Sequence, residues 1–121
     1  MKLSAPAAFA LFGALKLHDK TPLGFLFIIS RIGSDTANSM LAVRDTYRHL
    51  EISRKRECAE AARQVYGGAP CIQFKPSQIT ARVRSFAAEN HMDDRTVYRR
   101  LTEAKKIYDG VLSHYENLTK K

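Results

Sequence analysis

Cysteine is scarce in this chain of 121 residues: there are two, Cys58 and Cys71. Two thiols make no disulfide framework. With His18, His49, His91 and His114 scattered singly, no CxxC or Cys/His spacing offers a metal site. The pair reads as reduced thiols of a cytoplasmic protein. Gly67-Gly68 is followed by neither GK[ST] nor GxxG, so there is no phosphate-cradling loop, and GxSxG and HExxH are absent. Asp93-Asp94 could be imagined as a metal pair, but two acids at a helix start read first as a cap. Tyr98 beside Arg99 and Arg100 has the make-up of a strand-transfer nucleophile, yet a phosphate-touching tyrosine is the simpler reading in so short a chain. The expectation is therefore no enzyme, no cofactor and no metal. Long apolar runs are missing too. Lys2 and the apolar stretch behind it lack a small-residue cleavage pair and run at once into Lys16, His18, Asp19 and Lys20. Residues 22–32 are too few to span a bilayer. No membrane partner is expected.

What the chain does have is positive charge: 20 Lys+Arg against 12 Asp+Glu, a net +8. That excess favours a polyanionic partner, nucleic acid first and an acidic membrane surface second. With 45% hydrophobic and 26% charged residues the composition is that of a soluble globular protein. The length allows one domain with a real core and no room for two.

The apolar periodicity predicts an all-α fold of about five helices, two of them long, in one domain over residues 1–121. Residues 1–33 read as an apolar helical hairpin. Ser4 and Pro6 start a first helix that runs to about Lys16 and is buried on most sides. Thr21-Pro22 start a second, the most apolar piece of the chain, with Gly33 ending it in the left-handed conformation. A buried strand over Phe25 to Ile29 is the competing reading, and the flanking Thr-Pro and Arg-Ile-Gly favour helix. Residues 34–66 form a long basic helix whose one face carries Met40, Val43, Tyr47, Leu50, Arg54, Cys58, Ala61 and Val65. Arg54 interrupts that face within SRKRE, a point where the helix can break. Residues 67–76 are a loop, with a short extended piece around Ile72 and Phe74.

Residues 77–121 carry the candidate site. Ile79, Val83, Phe86 and Ala87 give a fourth helix its core face. A tight turn follows, in which Asn90 is the candidate for a left-handed residue in place of the usual glycine. Asp93 then caps a fifth helix. Val97, Leu101, Ala104, Tyr108, Val111, Tyr115 and Leu118 make a heptad seam, satisfied either within the chain, the favoured reading, or by a second copy. A short helix, a turn and a capped basic helix make a helix-turn-helix candidate for the DNA major groove. Its DNA-binding set is Arg95, Thr96, Tyr98, Arg99 and Arg100, extended by Arg82 and Arg84 on the preceding helix and Lys105 along the stem. Arg44, Arg48, Arg54, Lys55 and Arg56 form a secondary basic patch, either a DNA-backbone contact or a solvated face.

Residues 10–33, ALFGALKLHDKTPLGFLFIISRIG, place a short helix before a (Lys/Gln)-x-(Pro/Gly)-x-Gly-Phe apolar helix closed by glycine. Residues 77–118 contain an Asp-Arg-Thr-x-Tyr helix start and a long C-terminal helix. In these two segments the chain resembles the late-gene antiterminator Q proteins of lambda-type bacteriophages. The resemblance implies binding to a DNA element near a late promoter and loading onto paused RNA polymerase, which then ignores pauses and terminators. It implies DNA-reading roles for Arg95, Thr96, Arg99 and Arg100, in the cytoplasm of a bacterial host cell. The zinc-binding cysteine insert of the lambda branch is missing, and GGAPCIQFKP stands in its place. The expected partners are double-stranded DNA, with RNA polymerase and a second copy as further candidates. The alternative is a helical interaction module that docks on a host protein, or dimerises, without touching DNA; the heptad seam and the apolar second helix support it.

Overall fold

The computed structural model describes residues 3–67 and 76–119, and among these it contains six α-helices and no strand. The helices are α1 (Ala5–Ala14), α2 (Pro22–Ile29), α3 (Ser34–Ile52), α4 (Arg56–Val65), α5 (Pro76–Glu89) and α6 (Asp94–Thr119), with a single 3-10 turn over Leu17–Asp19. The extended piece expected around Ile72 and Phe74 lies outside the described residues, as does Cys71.

The helix starts follow their local chemistry. Pro6 and Pro22 sit in the first turns of α1 and α2, where a missing N–H costs nothing. The Thr21 hydroxyl accepts the Gly24 N–H at 3.1 Å. Gly33 does adopt a positive φ, 88°, but it stands before α3 rather than closing α2, which ends three residues earlier on Ser30.

The single long helix expected over 34–66 is two helices. Arg54 takes the left-handed conformation (φ 60°), the Lys55 N–H donates to the Leu50 carbonyl at 2.7 Å, and the Arg54 N–H donates to Glu51 at 3.1 Å. That is a complete Schellman closure built on arginine instead of glycine. A continuous helix would carry Arg54 onto the buried face between Leu50 and Cys58. The break turns it to solvent, and six helices replace about five. The turn before α6 closes in the same way. His91, not Asn90, is the left-handed residue (φ 55°), with Met92 N–H on Ala87 at 3.0 Å and His91 N–H on Ala88 at 3.4 Å. Asn90 supports the turn differently, its side-chain amide donating to the Phe86 carbonyl at 2.9 Å.

The core is laid along α3 and α6, which share the most extensive contact, with α4 and α5 packed on α6 and α1 on α3. Asp45 within α3 bonds Tyr115, and Lys55, just past the end of α3, bonds Glu103, so α3 and α6 run antiparallel. Met40, Val43 and Leu50 meet Val97, Leu101, Ala104 and Tyr108, all buried in one cluster. Phe9 of α1 closes it, its ring centroid 5.3 Å from Tyr47, 6.1 Å from Tyr66 and 6.0 Å from Tyr108. Tyr108 keeps its hydroxyl satisfied by donating to the Leu3 carbonyl at 2.9 Å. The heptad seam of α6 is thus filled within the chain. It drifts toward the C-terminus: Leu112 is buried, Val111 and Tyr115 half-buried and Leu118 exposed. A helix of 3.6 residues per turn slips relative to a 3.5-residue repeat in this sense.

A left-handed conformation costs a β-carbon-bearing residue roughly 1–2 kcal/mol, offset in part by the greater unfolded-state freedom of glycine. His91→Gly should therefore raise stability, by up to about 1 kcal/mol in urea unfolding; a decrease would show that the imidazole contributes contacts that outweigh the strain.

Candidate nucleic-acid interface

The turn over residues 90–93 delivers α6 with its cap in place. The Asp93 carboxylate accepts the Thr96 N–H at 2.8 Å, as the sequence anticipated. That bond first, then the Thr96 hydroxyl and the nearby Arg95 and Arg99, hold the Asp93 carboxyl below its ordinary range. Thr96 is half-buried and engaged in the cap, so its hydroxyl serves the helix start.

Burial of Val97, Leu101, Ala104 and Tyr108 fixes which way the rest of α6 points. By the 3.6-residue period the opposite stripe is Arg95, Arg99, Thr102 and Lys106, and all four are exposed. Among the described residues no salt bridge takes up Arg95, Arg99 or Lys106. Lys106 was not among the residues singled out from the sequence, although the same 4-3-4 spacing that reveals the seam places it with Arg95 and Arg99. Lys105 is exposed beside the stripe. Tyr98 is 41% exposed and its hydroxyl lies 3.5 Å from Thr80 Oγ1, so it bridges α6 to α5 at the edge of the stripe.

The remaining candidates are placed otherwise. Arg100 is half-buried, its guanidinium 3.7 Å from the Met92 sulfur. Arg84 reaches from α5 to Asp94 at 3.7 Å across the turn. Arg82 points into the fold: its guanidinium donates to the Val65 carbonyl and, at 3.0 Å, to Gln64, satisfying the open C-terminus of α4.

The secondary basic patch divides. Arg44 pairs with Asp45 at 3.1 Å and lies 5.2 Å from the Phe25 ring, and Arg56 faces Glu51 at 3.6 Å. Lys55 bonds Glu103 of α6 at 2.7 Å; this bond raises the lysine pKa and lowers that of the acid. Arg48 and Arg54 are exposed. The Lys55–Glu103 bond brings the α3–α4 junction alongside the first half of α6, so basic stretches some forty positions apart in sequence adjoin. Within residues 94–106 Arg95, Arg99, Arg100, Lys105 and Lys106 outnumber Asp94 and Glu103, a net +3, whereas residues 107–119 carry Asp109 and Glu116, a net −2.

Among the described residues no group of three His, Cys, Asp or Glu side chains could hold a metal ion, and no helix is long and apolar enough to cross a membrane. No protein-family model matches the chain, and neither the curated proteins nor the solved structures show a significant similarity to it.

Arg82→Ala should lower stability by about 1.5–3 kcal/mol, the range for hydrogen bonds involving a charged group, because it exposes the end of α4; an unchanged urea midpoint would contradict this role. Asp93→Ala should lower the melting temperature at neutral pH. Because the folded carboxyl is held below its ordinary pKa of about 4, its contribution is complete above that value and fades as pH falls through the depressed one. The wild-type and variant melting curves should converge in acid, and a gap that persists at low pH would contradict the cap.

Proposed function

We propose that this protein is a DNA-binding transcription regulator in which α5, the turn and α6 act as a helix-turn-helix. In this reading the first turns of α6 enter the major groove, with Arg95 and Arg99 reaching base edges or phosphates. Lys105 and Lys106 extend the contact along the backbone, and Tyr98 and Thr102 flank it. The observation that carries the reading is the outward stripe of Arg95, Arg99 and Lys106, none of them taken up by a salt bridge among the described residues. Cations in the first turns of a helix oppose its dipole and weaken it, by roughly 0.3–1 kcal/mol each where they lie close to the end. Within α6 the cluster does no more than help keep the Asp93 and Glu103 carboxylates charged, and an anionic partner gives it a purpose. Arg54, exposed alongside, suits a neighbouring phosphate strand.

The resemblance to phage late-gene antiterminators adds the regulatory half of the proposal: once on DNA, the protein acts on RNA polymerase and carries it through terminators. With no zinc insert, DNA contact in this chain rests on α6 and the α3–α4 junction.

Fluorescence anisotropy with labelled duplex DNA across a salt series tests the DNA reading. The wild type should lose affinity steeply with salt, and Arg95→Ala, Arg99→Ala and Lys106→Ala should each reduce the log–log slope by about 1. Arg82→Ala should leave that slope unchanged. Undetectable or salt-insensitive binding would refute the proposal. Readthrough of a terminator in a purified transcription reaction, dependent on Arg99, tests the regulatory half separately.

A further inference from the structure

The second surface that stands out is apolar. α2 buries Phe25 and Ile29, yet it turns Leu23, Leu26 and Phe27 to solvent at 80%, 51% and 60% exposure. Those three side chains share one face of an eight-residue helix. Beside them, between α2 and α3, lies a groove of about 290 Å³. Buried Phe12 and Phe25 and half-buried Tyr47 form its apolar wall, Leu26 stands at its edge, and Lys20, Arg44 and Arg48 bring positive charge to it. Among the described residues of its lining, Glu51 is the only carboxylate. The Arg31 guanidinium lies 4.4 Å from the Phe27 ring centroid, on the exposed face. Apolar protrusions with a rim of cations mark an interaction surface.

We infer that α2 and the α2–α3 groove dock an acidic, apolar-anchored segment of a partner protein. One large apolar side chain of that segment would enter the groove over Phe25 and Tyr47, a second would lie on Leu23 and Phe27, and its carboxylates would meet Lys20, Arg31 and Arg48. The groove lies at the small end of the range for ligand pockets and has room for one or two side chains. A flat anionic membrane would touch Leu23 and Phe27 but leave this concavity empty. A second copy of the chain is disfavoured by charge, since a two-fold contact through α2 would bring Lys20, Arg31 and Arg48 toward their own counterparts. This surface is separate from the basic stripe of α6, and the inference stands whether or not α6 binds DNA.

The test uses a fluorescein-labelled synthetic peptide with leucine and phenylalanine on one helical face and glutamate on the other. Its companion has lysine in place of every glutamate. Fluorescence polarisation should show binding of the glutamate peptide and none of the lysine peptide. Leu26→Asp and Phe27→Asp, both at exposed positions and checked for native circular dichroism, should each weaken binding at least about tenfold. Lys20→Glu and Arg48→Glu should weaken it as well. No binding of the glutamate peptide, equal binding of the two peptides, or binding indifferent to Leu26→Asp and Phe27→Asp would overturn the inference. It would equally be overturned by Phe27-dependent co-sedimentation with phosphatidylglycerol–phosphatidylcholine vesicles, which would assign the face to lipid. Phe27-dependent dimerisation in sedimentation velocity would assign it to a second copy and overturn the inference likewise.

Discussion

A helix has one stripe to bury, and in α6 that stripe is filled by Val97, Leu101, Ala104, Tyr108 and Leu112 against α3 and α4. The placement of the basic residues of α6 follows from that constraint. With the apolar stripe pinned, Arg95, Arg99 and Lys106 have no direction left but outward, and Tyr98 and Glu103 fall on the two flanks, facing α5 and the α3–α4 junction respectively. The charge along α6 is correspondingly uneven, positive over residues 94–106 and negative over residues 107–119. The packing of the helix sets the orientation of the basic stripe, whose side chains are exposed.

Among the described residues three helix ends close on a left-handed residue other than glycine. Lys16, Arg54 and His91 all have positive φ, at 54°, 60° and 55°. Each is a left-handed residue just past a helix end, and two of them, Arg54 and His91, border the basic surface. Strain of this kind is tolerated where the surrounding hydrogen bonds over-determine the backbone, as the paired Schellman bonds do at Arg54 and His91. Both positions put a basic or titratable side chain where glycine would leave none.

These closures also explain what could be read in advance. The helical class, the seam of α6, the caps at Thr21 and Asp93 and the core face of α5 follow from periodicity and from side chains that act within three or four residues. Those signals are local, and they were legible. The break at Arg54 was legible only as an interruption of an apolar face, because the usual glycine stop is absent there. The same absence hid His91 behind the better left-handed candidate, Asn90. The partners of individual arginines were not legible at all. Arg82 and Arg99 are alike in sequence context, each an arginine close to apolar neighbours on a helix. Only the approach of α4 to α5 commits Arg82 to the Gln64 and Val65 carbonyls. Lys106 is different: its place opposite the seam follows from the 4-3-4 spacing alone. The apolar composition of α2 is compatible with core or with a docking face, and only the packing shows that half of the helix is surface.

The account's central claim is that the outward stripe of α6 meets duplex DNA. Amide chemical shifts of the labelled protein, followed by NMR while duplex DNA is titrated in, test it most directly. The account predicts shifts concentrated at Arg95, Arg99, Thr102 and Lys106, with smaller changes at Arg54 and Lys55 and none across α2. Shifts confined to α2 and the groove beside it, or no shifts at all, would contradict it.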